Sequence, residues 1–262
     1  MVRLAHVCAA ALILLGLLAA PVAPAANNDP VVLVHGVLGF GPDEFQQSGF
    51  NYWGGYGDIA AHMQVYRGPH AVVAAAVSPI ASNWDRAAEL YAQIKGGCVD
   101  YGKAHVATQG VPGQVQLPAG KCWAADPRDN PHAYPPALYP QWGRAHPIHM
   151  IGHSQGGTTI RALIQLLEHG SLADEGDSAL FKGGKTGWIR SATTISAPHN
   201  GTTLTDAVFN ILPNVPIVLR DILRHRAASW ELAPDGAREF NRWALTSPNV
   251  YYFSVGTLAT AS

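Results

Sequence analysis

The chain has 262 residues, of which 48% are hydrophobic and 13% are charged, and its formal net charge at pH 7 is −1. This composition excludes an intrinsically disordered protein, and the length accommodates one α/β domain with a sizeable core. A near-zero net charge, without any block of basic residues, excludes nucleic-acid binding as the main function.

The N-terminal residues 1–25 have the pattern of a secretory signal peptide. A positive charge near the start precedes an uncharged apolar run at 9–20, and Ala23 and Ala25 supply the small residues of a cleavage site. A membrane anchor is the alternative, but the run is short for a bilayer span of about 20 residues, and prolines end it. We therefore expect a secreted protein with one mature domain at 26–262 and no stable membrane anchor.

Apolar runs alternate with amphipathic segments along the mature chain, which predicts a mostly parallel sheet with helices on both faces. Asn83 is the predicted N-cap of the first helix, and glycines follow its end. The segment 107–147 is rich in Pro, Gly and aromatic residues without a sustained period, which predicts a loop-rich insertion over the core. In chain order the predicted elements are a strand at 31–34, a strand at 71–77, a helix at 85–94, a strand at 148–151, a helix at 158–168, and strands at 189–195 and 250–255.

The strongest local signal is the pentapeptide Gly-His-Ser-Gln-Gly, centred on Ser154. It follows an apolar strand and precedes an amphipathic helix, which is the context of a G-x-S-x-G nucleophile elbow. Such a sharp turn projects the serine hydroxyl towards the base that must take its proton. A chance pentapeptide in a glycine turn is the alternative, but the flanking pattern favours Ser154 as a nucleophile.

A second motif, His-Gly-Val-Leu-Gly, begins at His35 directly after the first mature strand. Acyl transfer builds negative charge on a carbonyl oxygen, which two backbone N–H groups can stabilise. One such N–H belongs to the residue after the nucleophile, here Gln155, and the other to the residue after the first glycine of this loop, here Val37. The two motifs together predict an oxyanion hole formed by these amides.

These motifs belong to a longer set of segments that resembles the thermostable bacterial true lipases of the staphylococcal and bacillus type, a zinc-containing branch of the α/β-hydrolases. The tryptophan- and histidine-containing segments are more specific than the serine motif alone. The matching segments are VVLVHGVLG at 31–39, YWGGYGDI at 52–59, NWDRAA at 83–88, YAQIKGGCVDYGKAH at 91–105, IHMIGHSQGG at 148–157, TTISAPHNGTTL at 193–204 and FNRWALTSPNVYY at 240–252.

The resemblance implies an α/β-hydrolase fold and hydrolysis of triacylglycerol or other esters. It also implies a structural zinc ion held by two aspartates and two histidines, with Asp85, His105 and His132 at ligand positions. Imidazole and carboxylate suit zinc in a closed four-ligand site. The alternative is that Asp85 stabilises a helix start and that the two histidines lie in polar loops.

The chain departs from that family in two regions. The segment 204–230, which carries lid helices and the fourth zinc ligand in the relatives, is shorter here, so the fourth ligand and the presence of a lid stay open. Asp206 and Asp221 are the aspartates available there. The insertion carries Cys122, which either forms a disulfide with Cys98 or stays, like it, a free buried thiol.

The triad acid and histidine of the family lie beyond the point that matches the end of this chain. Triad partners follow the serine in the order Asp or Glu, then His. The histidines after Ser154 are His169, His199 and His225. His199 lies in a turn that matches a loop of the family rather than its base, and His225 follows Asp206 and Asp221 in the required order, in a segment with a helical pattern. We therefore expect a fold that is incomplete at the C-terminus.

The resulting hypothesis is a secreted serine lipase or carboxylesterase that forms an acyl-enzyme on Ser154. Two alternatives stay open: an inactive remnant or lipid-binding module without the triad acid and histidine, and a hydrolase of polyesters or other acyl esters. The sequence leaves open the acyl-chain preference, a calcium requirement and the oligomeric state.

Overall fold

The computed structural model describes residues 28–42, 44, 49–67, 71–108, 121–203 and 228–257. The expected signal peptide at 1–25 lies outside these residues, as do Asp206, Asp221 and His225. In the described ranges, no helix has the length and apolar character needed to cross a bilayer.

Five strands of the described chain form a parallel sheet. They are β1 (Val31–Val34), β2 (Val72–Ala75), β5 (Ile148–His153), β6 (Ile189–Ile195) and β7 (Tyr251–Val255), in the order β2-β1-β5-β6-β7. Because the strands are parallel, their carboxyl ends share one edge of the sheet, where ligands bind in open α/β sheets. The residues after β1 and β5 therefore meet at this edge.

A small antiparallel pair stands apart from this sheet. It consists of β3 (Gly97–Cys98) and β4 (Cys122–Trp123), and a disulfide joins Cys98 to Cys122. The disulfide alternative is therefore the correct one for these two cysteines. The bond connects the insertion to Cys98, which lies just after the helix at Asn83–Lys95.

Six helices lie in the described ranges. They are α1 (Ile59–Arg67), α2 (Asn83–Lys95), α3 (Lys103–Thr108), α4 (Gln155–His169), α5 (Ala228–Leu232) and α6 (Pro234–Trp243). Helix α2 packs against α4, which carries the predicted apolar stripe. Every member of that stripe is buried, as helical periodicity requires: Ile160, Leu163, Ile164 and Leu167.

The N-cap prediction for α2 is wrong by one residue. Asn83 is the first helical residue, and Ser82 is the cap: its hydroxyl accepts a hydrogen bond from the N–H of Asp85 at 3.1 Å. Both serine and asparagine are good N-caps, so residue type alone cannot choose between neighbours. The difference places the side chain of Asn83 inside the fold, where it is fully buried.

The insertion at 107–147 contributes more to the core than the sequence predicts. Its described part has little regular structure, but Trp142 is fully buried in the hydrophobic core. The indole ring contacts Tyr91 of α2 and Trp188, and its N–H donates to the carbonyl of Trp188 at 2.9 Å. A segment without periodicity therefore supplies one of the largest core side chains.

Candidate active site

Ser154 lies at the turn between β5 and α4, on the carboxyl edge of the sheet. Its φ of 54° and ψ of −125° define a backbone conformation that residues with a Cβ rarely adopt. The N–H of Ser154 donates to the carbonyl of Ile195 at 2.9 Å, which fastens the turn to the end of β6. This is the strand-turn-helix geometry that a nucleophile elbow requires.

The two glycines of the pentapeptide are required by close backbone packing. A Cβ on Gly152 would lie 2.5 Å from the carbonyl carbon of Gly156. A Cβ on Gly156 would lie only 2.1 Å from the carbonyl oxygen of Val34 in β1. Real Cβ atoms do not approach backbone this closely, so a side chain at either position would force the turn apart.

The loop after β1 passes directly beside Ser154. A Cβ on Gly36 would lie 2.8 Å from the Cβ of Ser154, so this loop and the elbow are in contact. The Gly36 N–H donates to the hydroxyl of Tyr52 at 2.8 Å. In contrast, the N–H groups of Val37 and Gln155 have no acceptor anywhere in the described chain. Free amides at these two positions are what an oxyanion hole needs.

His35 is fully buried behind this loop. Its Nε2 accepts a hydrogen bond from the N–H of Val77 at 3.2 Å, so its Nδ1 carries the proton and donates to the carbonyl of Gly36 at 2.8 Å. Burial, with a contribution from the Arg86 cation, lowers the pKa of His35 to about 4. The imidazole is therefore neutral near pH 7 and serves as a support for the loop.

Arg86 of α2 ties the loop to the core. Its buried guanidinium donates to the carbonyls of His35 and Ser78 and to the hydroxyl of Thr159. Burial lowers the pKa of Arg86 to about 10, and the carboxylate of Glu89 opposes that shift. The group therefore stays a cation at neutral pH, compensated by a nearby buried carboxylate. Its role depends on contacts between distant segments, so the NWDRAA motif gave no reason to select it.

Ser154 has no catalytic base in the described structure. Its hydroxyl makes no hydrogen bond to any described residue. His199 contacts a different hydroxyl, because its Nε2 lies 3.0 Å from the hydroxyl of Thr194. His169 is exposed at the C-terminal end of α4. This 15-residue helix is roughly 22 Å long, so His169 lies far from Ser154 at the other end. His225 lies outside the described residues.

Two of the three predicted zinc ligands lie together. Nε2 of His105 is 3.1 Å from Oδ1 of Asp85, and the ring of His105 stacks on Trp84 with centroids 4.6 Å apart. The structure does not bring the predicted third ligand, His132, to this pair: its side chain is exposed and its ring lies beside Tyr134. In the described ranges, no cluster of three or more metal-ligating side chains has formed.

A carboxylate that the sequence did not indicate lies close to this pair. Oε2 of Glu231, in α5, accepts a hydrogen bond from the N–H of Asn83 at 2.6 Å. Burial raises the pKa of Glu231 to about 7, with a smaller contribution from the negative charge of Asp85 and an opposing one from His105. Nothing in the local sequence connects Glu231 to residues so far along the chain. The hydrogen bond joins α5 to the N-terminal residue of α2.

The described architecture matches lipases of known sequence and structure. Residues 27–223 match the family model for the lipase-like C-terminal domain. The chain is 38% identical over 192 residues to a lipase of Staphylococcus epidermidis, an alignment that covers 70% of this chain and 25% of that protein. The chain thus spans about a quarter of the length of the curated relatives it matches.

Two solved structures share the fold. The crystal structure of Staphylococcus hyicus lipase superposes with a TM-score of 0.69 at 31% identity, covering 89% of this chain and 68% of that one. Lipase 1 from Pelosinus fermentans gives a TM-score of 0.68 at 32% identity, with 86% and 67% covered. The parallel sheet, the serine turn and these similarities agree, so the expected α/β-hydrolase fold is confirmed. The chain belongs to the lipase-like C-terminal domain family.

Proposed function

We propose that this chain is a serine ester hydrolase that acts on lipid esters, with Ser154 as its nucleophile. The observation that supports the proposal most directly is the position of Ser154 in a strained turn beside two free backbone amides. Both features serve acyl transfer. The turn exposes the hydroxyl, and the amides can donate hydrogen bonds to the substrate oxygen on which negative charge develops.

The reaction follows from these positions. The Ser154 Oγ forms a bond to the ester carbonyl carbon while a general base takes its proton, and the N–H groups of Val37 and Gln155 donate to the resulting oxyanion. Collapse of this intermediate breaks the bond to the alcohol, which leaves with the proton. Water then attacks the acyl-enzyme in the same manner and releases the carboxylic acid.

The identity of the base is the open part of this mechanism. One source is His225 with Asp206 or Asp221, in the part of the chain that the structure does not describe. The other is an acid and a histidine that the 262-residue chain does not contain. The two sources differ in one measurable property, since only the first gives this chain an activated serine.

A fluorophosphonate probe tests the proposal on the purified 262-residue chain. It reacts with an activated serine: the Oγ–P bond forms and the P–F bond breaks. We expect stoichiometric labelling that is lost in Ser154→Ala and kept in Ser196→Ala, because Ser196 is a second serine at positive φ, outside the elbow. Hydrolysis of p-nitrophenyl esters and triacylglycerol emulsions then reports the preferred ester.

A second candidate is a lipid-binding module without turnover, because no imidazole contacts the Ser154 hydroxyl in the described chain. A folded chain that stays unlabelled, yet binds a fluorescent fatty-acid ester, would replace the hydrolase with this candidate. The Ser154→Ala variant should then bind the ester as well as the unmodified chain does.

We also propose a structural zinc ion at Asp85 and His105, with Glu231 as the neighbouring carboxylate. Two atoms that each lie about 2.0–2.1 Å from a tetrahedral zinc ion are roughly 3.3 Å apart. The distance of 3.1 Å between Nε2 of His105 and Oδ1 of Asp85 fits that spacing. The ion would tie α2 to α3, and would supply rigidity rather than chemistry.

Metal content tests the zinc proposal. We expect about one zinc per chain by mass spectrometry, lost in Asp85→Asn and kept in His132→Asn, with a chelator lowering the Tm of the unmodified chain and of His132→Asn but not of Asp85→Asn. Zinc-free protein with a chelator-independent Tm would contradict the site.

We further propose that the chain is exported and that residues 1–25 are removed. The support is the charged start, the apolar run and the small residues before 26. The intact mass of protein collected from the medium of an expressing bacterium tests this, since the uncleaved mass would contradict it.

A further inference from the structure

The side chain of Tyr52 connects the loop after β1 to the nucleophile elbow. Its hydroxyl accepts the hydrogen bond from the N–H of Gly36, at 2.8 Å. The same hydroxyl lies 2.5 Å from Nδ1 of His153, the residue immediately before Ser154. A single oxygen atom therefore bridges the two segments that carry the oxyanion amides and the nucleophile.

The direction of each hydrogen bond follows from the donors available. The Gly36 N–H can only donate, so the single hydrogen of the Tyr52 hydroxyl is free to point to Nδ1 of His153. This requires a neutral imidazole with its proton on Nε2. Burial lowers the pKa of His153 and raises the pKa of Tyr52, so both groups are neutral near pH 7.

Hydrogen bonds restrain the peptide that carries the Val37 amide. The carbonyl of Gly36 and the N–H of Val37 belong to the same planar unit, so fixing one orients the other. That carbonyl accepts from Nδ1 of His35 at 2.8 Å and from the N–H of Gly39 at 3.1 Å. The bond to Tyr52 fixes the preceding amide, so rotation about the Gly36 backbone is restrained at both ends.

Gly36 also has no space for a side chain. A Cβ at this position would lie 2.8 Å from the Cβ of Ser154 and 2.9 Å from the Tyr52 hydroxyl. The glycine therefore lies between the nucleophile and the tyrosine, and loss of the hydroxyl would remove one of the two walls. Catalytic amides lose effect when they are displaced by even about 1 Å.

We propose that Tyr52 is a positioning residue for the oxyanion hole: through Gly36 and His153 its hydroxyl holds the Val37 amide in register with Ser154. The inference rests on the proposed function of Ser154. Tyr52 need not contact substrate, because it acts through the two segments that it bridges.

The aromatic ring of Tyr52 has a separate packing role. It makes edge contacts with Phe40 and Trp53 and lies against His35. The variant Tyr52→Phe keeps this packing and removes only the bridging oxygen. Tyr56→Phe is the matched control, because Tyr56 belongs to the same YWGGYGDI segment and its side chain is 87% exposed.

The first measurement is the rate of Ser154 phosphonylation as a function of fluorophosphonate concentration, which separates probe binding from the chemical step. For Tyr52→Phe we expect the limiting rate constant to fall about ten- to a hundredfold, less than the roughly 10²–10³-fold loss from deleting an oxyanion donor. The half-saturating probe concentration should stay the same, and Tyr56→Phe should match the unmodified chain. Circular dichroism confirms that each variant is folded.

The second measurement does not depend on reactivity. In 15N-histidine-labelled protein, Tyr52→Phe should shift the Nδ1 resonance of His153, because that nitrogen loses its donor, whereas Tyr56→Phe should leave it unchanged. An unchanged resonance would overturn the bridge itself. Undiminished labelling of Tyr52→Phe would overturn the positioning role and leave the proposed hydrolase intact. An unmodified chain that does not label would overturn the hydrolase, and the positioning role with it.

Discussion

His35 has the most strongly perturbed pKa among the histidines of the described chain. The native imidazole takes up a proton only near pH 4, whereas an unfolded histidine does so near pH 6.5. The unfolded state therefore binds more protons between these values, so the contribution of His35 to stability is complete above pH 6.5 and is lost as the pH falls towards 4.

We expect this group to remove on the order of 3 kcal/mol from the free energy of unfolding between pH 7 and pH 4. The variant His35→Asn keeps a donor near the Nδ1 position and cannot titrate, so its stability should depend less on pH by that amount. Urea denaturation across the pH range measures the difference. The exposed His132→Asn serves as the control, and equal slopes for His35→Asn and the unmodified chain would contradict the prediction.

At the residue scale, the sequence predicts features that consecutive residues encode and misses contacts between distant segments. Ser154 is recognised because its turn is encoded in five consecutive residues. The bond from Tyr52 to Gly36, and the approach of Glu231 to the Asp85 pair, join distant segments, so no spacing in the sequence reveals them. His132 is the opposite case: its residue type suits zinc, but in the described structure its ring lies beside Tyr134 and not with Asp85 and His105.

At the element scale, the disulfide between β3 and β4 closes a loop across 24 positions of the chain. A crosslink over a loop of this size stabilises the native state by about 3 kcal/mol, mainly by restricting the unfolded chain. We expect Cys98→Ser combined with Cys122→Ala to lower the free energy of unfolding by about that amount in urea denaturation.

Reduction provides the matched control for this prediction. The unmodified chain treated with a phosphine reductant should lose the same stability as the double variant, whereas the double variant should not respond to the reductant. Titratable thiols at Cys98 and Cys122 in unreduced, unfolded protein would show that the bond is absent.

The main elements were predictable because their periodicities are strong. The β-branched run of β1 and the apolar stripe of α4 identify a buried strand and a half-buried helix without further information. The burial of Trp142 was not predictable, because an aperiodic segment gives no sign of which side chain turns inward. The N-cap of α2 was shifted by one residue because Ser82 and Asn83 are equally good caps.

At the scale of the whole molecule, β7 lies at one edge of the described sheet and has an apolar face open to solvent. Tyr251, Phe253 and Val255 alternate along it and are 71%, 57% and 48% exposed. An exposed apolar edge strand is a template for pairing with another chain. We expect the purified 262-residue chain to associate with increasing concentration in analytical ultracentrifugation.

The variant Phe253→Lys should weaken this association, because a lysine on an edge strand opposes strand pairing. Leu172→Lys is the control, since Leu172 is 93% exposed and lies away from the sheet. Equal sedimentation of Phe253→Lys and the unmodified chain at every concentration would show that β7 is not the contact.

The backbone of Ser154 also has a consequence for evolution. A serine at φ 54° costs about 1–3 kcal/mol, and glycine would relieve that strain while alanine would not. Ser154→Gly should therefore unfold at a higher urea concentration than Ser154→Ala; equal midpoints would show that the turn stores no strain. Selection for stability alone would favour glycine at position 154. A protein that no longer used Ser154 as a nucleophile would therefore tend to lose this serine. The strain at Ser154 is therefore a cost in stability that the proposed use of its hydroxyl as a nucleophile would offset.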